Sequence, residues 1–201
     1  MTAAPPKVFI NCPYDSDYEP VLDALVLTTV FFGLTPTSAL TSGDPGRARM
    51  ERIVLAIEAA DYSIHDLSRC RGEGAQGLTR MNMPLELGIA LYRSHKNGHR
   101  WMALVPDDSP HQQYISDLAG YDLKVYGGDN DRVGAISKVA SWYRSVGPAD
   151  SPRITPRPIT DSIPLFAQIK QHRCAEWENE PRLPWFELVD AAAETVDRYT
   201  N

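Results

Sequence analysis

The sequence has few cysteines and no long hydrophobic run. Among its 201 residues, Cys12, Cys70 and Cys174 lie far apart and form no CxxC pair. Three scattered cysteines favour a reducing cytoplasm over a disulfide framework or a zinc site. No stretch holds 18 consecutive apolar residues, and the N-terminal residues show no basic start followed by an apolar segment. We therefore expect a cytoplasmic protein with no signal peptide and no membrane contact.

The common catalytic motifs are also missing. None of the glycine-containing loops matches a P-loop or GxGxxG, no GxSxG occurs, and the five histidines lack HExxH spacing. These absences argue against a P-loop kinase, a dinucleotide-dependent dehydrogenase, a serine hydrolase and a histidine-based metal site. We expect neither a metal ion nor a resident cofactor.

Positive charge is in short supply. Lysine and arginine total 20 against 26 acidic residues, for a net charge of -6. A binder of nucleic-acid grooves needs a basic surface, so nucleic acid is not the expected partner. The 43% hydrophobic and 23% charged content is that of an ordinary globular protein. The length suits one domain, or a domain of about 150 residues with an appendage.

What the chain does contain is a regular alternation of short apolar stretches and helical patterns over residues 7–146. This order predicts a parallel sheet covered by helices on both faces. Five prolines then fall between residues 147 and 164, which we interpret as a stiff linker. Two further helical patterns follow, at 165–176 and 185–199. The predicted organisation is an α/β domain (1–146), a Pro-rich linker (147–164) and a C-terminal helical appendage (165–201).

A lone acid in an apolar helix is the feature most suggestive of function. Pro84 suits a first helical turn and Asn82 a helix N-cap. Glu86 is then predicted in the first turn, close to the positive end of the helix dipole. Residues 85–91 are otherwise apolar apart from one glycine, so we expect a well-buried helix with Glu86 as its unexplained carboxylate.

Open parallel sheets bind ligands at the carboxyl ends of their strands, and polar residues gather at the predicted strand ends. The candidates are Asn11, Tyr14 and Asp15 after the first strand, Asp66, Ser68 and Arg69 after the third, Asn82, Met83 and Glu86 at the next helix, and Arg49 on the preceding one. The glycine-containing loop at 69–80 is expected to be mobile and to lie over the site.

Each candidate has a structural alternative. Glu86 can serve only the helix end, and Asp66 and Ser68 can satisfy backbone donors in a turn, as can the polar residues after the first strand. His65 is expected to be a packed strand residue. Arg49 and Arg69 can be ordinary surface charges.

Two resemblances bear on these residues. The Leu-Glu-Leu-Gly segment at 85–88, with the strand at 101–105 and Pro-Asp-Asp behind it, resembles nucleoside 2-deoxyribosyltransferases, in which the glutamate of this motif is the nucleophile. The strand at 8–11, the strand end at 64–68 and the acid early in the next helix resemble TIR domains. Those are flavodoxin-like α/β domains whose enzymatic members cleave NAD with that glutamate. Phe-Ile-Asn-Cys at 9–12 departs from the serine-bearing TIR opening, and the 69–80 loop fits neither family closely.

The resemblances imply a flavodoxin-like, TIR-like fold and an N-glycosidase acting on a nucleotide, with NAD the first choice of substrate. Glu86 would stabilise or trap the ribosyl cation, and Asp66 or Asp15 would position ribose hydroxyls or assist proton transfer. Arg69 or Arg49 would face phosphate, and Tyr14 would stack on a base. Homo-oligomers are expected. The alternatives are a nucleoside or nucleotide 2-deoxyribosyltransferase or hydrolase, and a non-catalytic nucleotide sensor or TIR-type assembly module.

Overall fold

The computed structural model describes residues 4–41, 46–71, 80–177 and 182–201. Five parallel strands form one sheet. The strands are β1 (Lys7–Asn11), β2 (Thr35–Ser38), β3 (Tyr62–Asp66), β4 (Arg100–Pro106) and β5 (Lys124–Tyr126). The helices are α1 (Glu19–Phe31), α2 (Arg49–Glu58), α3 (Asn82–Asn97), α4 (His111–Tyr114), α5 (Arg132–Val146), α6 (Pro156–Glu176) and α7 (Trp185–Thr200).

The strand order is β2-β1-β3-β4-β5, which is the flavodoxin-like arrangement. The predicted parallel α/β fold is confirmed. From β1 the chain first moves outward to β2 and then returns to β3 on the other side, so the order reverses between β1 and β3. Asn11 lies opposite His65 in the register at this point. In such folds the reversal opens a crevice at the carboxyl ends of the two strands.

Both faces of the sheet are covered by helices, and successive residues of a strand pack into the apolar cores on opposite faces. Val8 and Ile10 pack in a core shared with α1 and α5. Phe9 points the other way and packs with residues of α2 and α3. The strands are apolar on both faces for this reason, as a doubly covered parallel sheet requires.

The C-terminal helices form a third layer on the α1 side. Phe166 of α6 and Leu188 of α7 belong to the same apolar core as Leu25 of α1. Lys170 pairs with Glu19 and Asp23 of α1, its Nζ lying 2.6 and 2.8 Å from their carboxylates. The C-terminal helices predicted from the sequence are therefore present and are continuous with the core of the sheet domain.

The start of α6 corrects one predicted boundary. The helix begins at Pro156, not at Leu165, so part of the stretch interpreted as a Pro-rich linker is helical. Proline is well suited to a first helical position, where its missing N–H has no intrahelical partner. Pro164 lies inside the helix, and the burial of Ile159 and Phe166 offsets the backbone hydrogen bond that it removes.

The helix expected over residues 113–118 is instead the short α4 followed by a 3-10 turn at Ser116–Leu118. All three cysteines are free thiols. Within the described ranges, no helix combines the length and the apolar character needed to cross a lipid bilayer.

Candidate functional site

Glu86 lies in the buried stripe of α3. The buried residues of this helix are Met83, Glu86, Leu87 and Ala90, which follow the i, i+3, i+4, i+7 spacing of a core-facing surface. Glu86 thus occupies a position where an apolar side chain is expected. The helix is less buried than the sequence predicts, because Leu85 is 55% exposed.

The start of α3 also differs from the prediction. Asn82 is the first helical residue and is exposed, whereas Met81 takes the N-cap position without a side-chain hydrogen bond. Glu86 is consequently in the second turn, beyond the reach of a capping side chain. The alternative in which Glu86 serves only the helix end does not fit this geometry.

The Glu86 carboxyl group is buried and incompletely satisfied. The residue is 2% exposed, and its Oε2 atom has no hydrogen-bond partner among the described residues. Burial raises the pKa of Glu86 to about 7, against the opposing charge of Arg49. A buried carboxyl group with a raised pKa and an unsatisfied oxygen is typical of a functional site.

The groups around Glu86 come from β1, the following turn and α2. Burial is the main cause of the raised pKa values of the Cys12 thiol and the Tyr14 hydroxyl, and the charge of Glu86 raises both further. The hydrogen bond from Asn11 at the end of β1 to the Met83 carbonyl brings the turn of α3 that precedes Glu86 to this strand end. Tyr14 donates its hydroxyl to the Ile10 carbonyl over 3.3 Å. Arg49 is exposed at the start of α2, so its guanidinium is open to solvent.

Asn11 joins three elements at the strand reversal. Its Nδ2 atom donates to the carbonyl oxygen of Met83 in α3 and lies 3.0 Å from both that oxygen and Nδ1 of His65. The structure therefore brings Asn11 and the α3 turn that precedes Glu86 together, as predicted from strand-end position alone. The Met83 side chain itself is a core residue that packs with Leu67 and Leu87.

Asp15 and Arg69 form an ion-pair clamp beside the crevice. Arg69 donates two hydrogen bonds to Asp15, at 3.1 and 2.6 Å, and reaches both oxygens of Asp129 at 2.8 Å. Burial alone would raise the pKa of Asp15, but the hydrogen bonds and charge of Arg69 outweigh it and the pKa lies below 3.8. The clamp ties the β1–α1, β3–α3 and β5–α5 connections together and engages the guanidinium expected to face phosphate.

Asp66 is turned away from Glu86. It lies two residues after Ile64 on β3 and therefore faces the same, α1 side of the sheet. There its Oδ2 accepts from the Tyr126 hydroxyl over 2.7 Å. Its Oδ1 accepts from the backbone N–H of Ser68 over 2.8 Å. This is the strand-end role that the sequence left open as the alternative. Burial raises the pKa of Asp66.

Two further predictions concern the loop over the site and the absence of a metal ion. Residues 72–79, most of the loop expected to cover the site, lie outside the described residues. Across the described ranges, no group of three or more histidine, cysteine, aspartate or glutamate side chains is arranged to hold a metal ion.

Sequence reasoning missed a line of buried polar groups beneath the crevice. Ser63 and His65 of β3 are fully buried, and so are most of the side chains to which they bond. One signal was available: Ser63 and His65 alternate on one face of a strand whose other residues suit a doubly covered sheet. Their partner His99, more than 30 residues away, has no such signal.

Fold and site together define a flavodoxin-like α/β protein with a buried, partly unsatisfied glutamate at its strand reversal. No protein-family model matches the chain, and no curated protein matches it. Among solved structures, the chain is similar to the TIR domains in the structure of the activated Roq1 resistosome directly recognizing the pathogen effector XopQ. The identity is 9% and the TM-score 0.42, with 95% of this chain and 83% of that chain covered. Likeness at this level leaves the activity to be argued from the residues.

Proposed function

We propose that the protein is a TIR-like nucleotide N-glycosidase that cleaves the nicotinamide–ribose bond of NAD, with Glu86 as the essential carboxylate. The observation that carries the proposal is the buried Glu86 carboxyl group at the strand reversal, with Oε2 left without a described partner. A buried acid without full hydrogen bonding destabilises a fold, so a ligand-directed role accounts for a residue that packing does not explain.

The chemistry suits a carboxylate in this setting. When the C1′–N bond of NAD breaks, the bonding pair leaves with nicotinamide and positive charge develops on the ribose. The nicotinamide ring is cationic in NAD, so it departs neutral and needs no general acid. Water then adds to C1′ and releases a proton, which gives ADP-ribose and nicotinamide. An ionised Glu86 in a site shielded from water stabilises the ribosyl cation strongly.

Residues near Glu86 are suited to binding the phosphate and the base of the nucleotide. Arg49 is exposed and its charge reaches Glu86, so it suits a phosphate oxygen of a bound nucleotide better than Arg69, which is engaged by two carboxylates. Tyr14, partly buried in the turn after β1, is the residue proposed to stack on a base. Asp15 serves this arrangement through the clamp, by fixing the turn that carries Tyr14.

The test is release of free base from candidate substrates. We expect nicotinamide to appear when the purified protein is incubated with NAD, and Glu86→Gln to lower the rate by at least about 100-fold. Glu58→Gln, at an exposed position on α2, is the matched control and should leave the rate unchanged. Because oligomers are expected, the assay is run over a range of protein concentrations.

The outcomes separate the candidate functions. Release of base from 2′-deoxynucleosides but not from NAD would indicate a deoxyribosyltransferase-type enzyme. Cleavage that persists in Glu86→Gln would overturn the mechanism. Absence of release from every substrate and at every concentration would favour the nucleotide-sensing or assembly role.

A further inference from the structure

A chain of five polar side chains runs beneath the crevice from Asn11 to Arg93. We call it the polar chain; its members, in spatial order, are Asn11, His65, Ser63, His99 and Arg93. The successive contacts measure 3.0 Å from Asn11 Nδ2 to His65 Nδ1, 2.9 Å from His65 Nε2 to Ser63 Oγ, 2.8 Å from Ser63 Oγ to His99 Nε2, and 2.8 Å from His99 Nδ1 to Arg93 Nη1.

The Asn11 end fixes the direction of the bonds at His65. Asn11 Nδ2 can only donate, so Nδ1 of His65 must accept. The neutral His65 imidazole therefore carries its proton on Nε2 and donates it to Ser63 Oγ. At the other end, the two N–H groups of Arg93 Nη1 are shared among His99 Nδ1 and the carbonyl oxygens of Ile57 and Ala60.

The Asn11 contact opposes a second proton on His65. That proton would sit on Nδ1, which already faces the Asn11 amide N–H. Burial is the main cause that lowers the pKa of His65 to about 3 and that of His99 to about 4, and each is lowered further by a neighbouring cationic group or histidine. Both rings stay neutral in the physiological range, so the polar chain acts as a fixed scaffold.

The scaffold is anchored at both ends. Arg93 also donates to the carbonyl oxygens of Ile57 and Ala60 at the end of α2. At the other end Asn11 uses its second N–H on the Met83 carbonyl, one helical turn before Glu86. Both N–H groups of Asn11 are thereby engaged, and no described residue donates to its Oδ1 atom.

We propose that His65, backed by Ser63, His99 and Arg93, is a positioning residue that holds Asn11 in one orientation, with its Oδ1 atom presented as an acceptor for a ribose hydroxyl next to the Glu86 turn. The orientation follows from the hydrogen-bond directions alone. The identity of the hydroxyl donor rests on the proposed function. An apolar residue at position 65 would fill the same space without orienting Asn11, and buried polar groups of this kind are retained where they specify a geometry.

Two substitutions of His65 separate orientation from packing. Glutamine can accept from Asn11 through Oε1 and donate to Ser63 through Nε2, which reproduces the polarity of the ring. Phenylalanine fills the space, next to Phe9, but does neither. We expect His65→Gln to keep kcat for NAD within about 3-fold, and His65→Phe to lower kcat about 10- to 100-fold with little change in KM. A merely structural role would lower the unfolding temperature of His65→Phe without changing kcat, and that result would overturn the proposal.

Nuclear magnetic resonance tests the geometry without any activity. Long-range ¹H–¹⁵N spectra of the wild-type protein should show His65 as the Nε2–H tautomer, and neither His65 nor His99 should titrate between about pH 5 and pH 8. The side-chain amide protons of Asn11 should exchange slowly in the wild type and in His65→Gln and quickly in His65→Phe. An Nδ1–H tautomer at His65 would overturn the proposal, whereas failure of NAD cleavage with these spectra as expected would overturn the proposed function alone.

Discussion

At the scale of single residues, Glu86 combines two features that seldom coincide. Its place in the buried stripe of α3 is one that spacing assigns to the core, yet its carboxyl group lacks a described partner for one oxygen. Desolvation opposes ionisation, so the resting protein holds the group near its midpoint at neutral pH. Both the rate of NAD cleavage and the free energy of unfolding should therefore change with pH around neutrality.

The pH dependence of cleavage should report Glu86 directly. Because the ionised carboxylate stabilises the ribosyl cation, kcat/KM for NAD should rise with pH and level off above a midpoint near the Glu86 pKa of about 7. Initial rates of nicotinamide release between about pH 5.5 and pH 8.5 measure it. A rate that falls through this range would instead assign Glu86 the role of a general acid.

The pH dependence of the free energy of unfolding should also report the ionisation of Glu86. The folded-state pKa of Glu86 lies above the ordinary value of 4.5, so the folded protein binds the proton more tightly than the unfolded chain does. The favourable contribution is complete below about pH 4.5 and is lost as the pH rises through about 7. Glu86→Gln should therefore be more stable than wild type at pH 8, by up to about 3 kcal/mol, with the gain vanishing near pH 4.5.

Urea unfolding of both proteins at several pH values measures this difference. Glu58→Gln, exposed on the neighbouring helix, controls for the loss of a negative charge. A gain in stability that does not depend on pH would contradict the raised pKa of Glu86.

At the scale of elements, the helix that carries Glu86 has two glycines with opposite requirements, Gly88 within it and Gly98 at its end. Gly98 ends the helix with φ of +69°, a left-handed conformation that a Cβ atom disfavours. Gly88 lies within the helix, and a Cβ built on it meets no atom within 4 Å. The first glycine is required by the backbone, and the second is replaceable as far as packing is concerned.

Alanine substitutions should therefore change stability in opposite directions. Gly98→Ala should destabilise the protein by about 1 kcal/mol, and Gly88→Ala should stabilise it by about 0.5–1 kcal/mol through better helix propensity. Thermal or urea unfolding of the two variants provides the comparison. If Gly88→Ala is destabilising, α3 does not have the open surroundings at position 88 that the structure gives it.

At the scale of the whole molecule, the C-terminal helices belong to the core that supports the site. Trp185 at the start of α7 donates its Nε1–H to the Pro36 carbonyl of β2, and Arg173 of α6 pairs with Glu187 and Glu194 of α7. Loss of this layer would expose apolar side chains of α1, each worth about 1.5–3 kcal/mol when buried. The helices and the sheet should accordingly unfold together.

Native-state hydrogen exchange tests that cooperativity without altering the chain. The slowest amides of α6 and α7 should exchange with the same free energy of opening as the slowest amides of α1. If the amides of α6 and α7 share an opening free energy lower than that of α1, these two helices unfold as a separate unit and the common core is contradicted.

Prediction from sequence succeeded where signals were local and periodic. The strands, the larger helices and the parallel sheet follow from apolar spacing, and Glu86 was recognisable as an acid in an apolar helix. The start of α6 was misplaced because proline was interpreted as a linker residue, although it is equally suited to a first helical turn. The sequence leaves Arg69 as one of two candidates for phosphate because its carboxylate partners, Asp15 and Asp129, are distant in sequence.

The sequence by itself determined the alternation of elements, the doubly covered parallel sheet and the candidate acid, since these depend on propensity and on the spacing of apolar residues. Only the tertiary structure decided which polar groups meet. It paired Arg69 with two carboxylates, turned Asp66 towards Tyr126, and joined Asn11 through His65 to Arg93. The physical reason is that ion pairs and hydrogen bonds act over about 3 Å in space, and chain folding sets those distances between residues far apart in sequence.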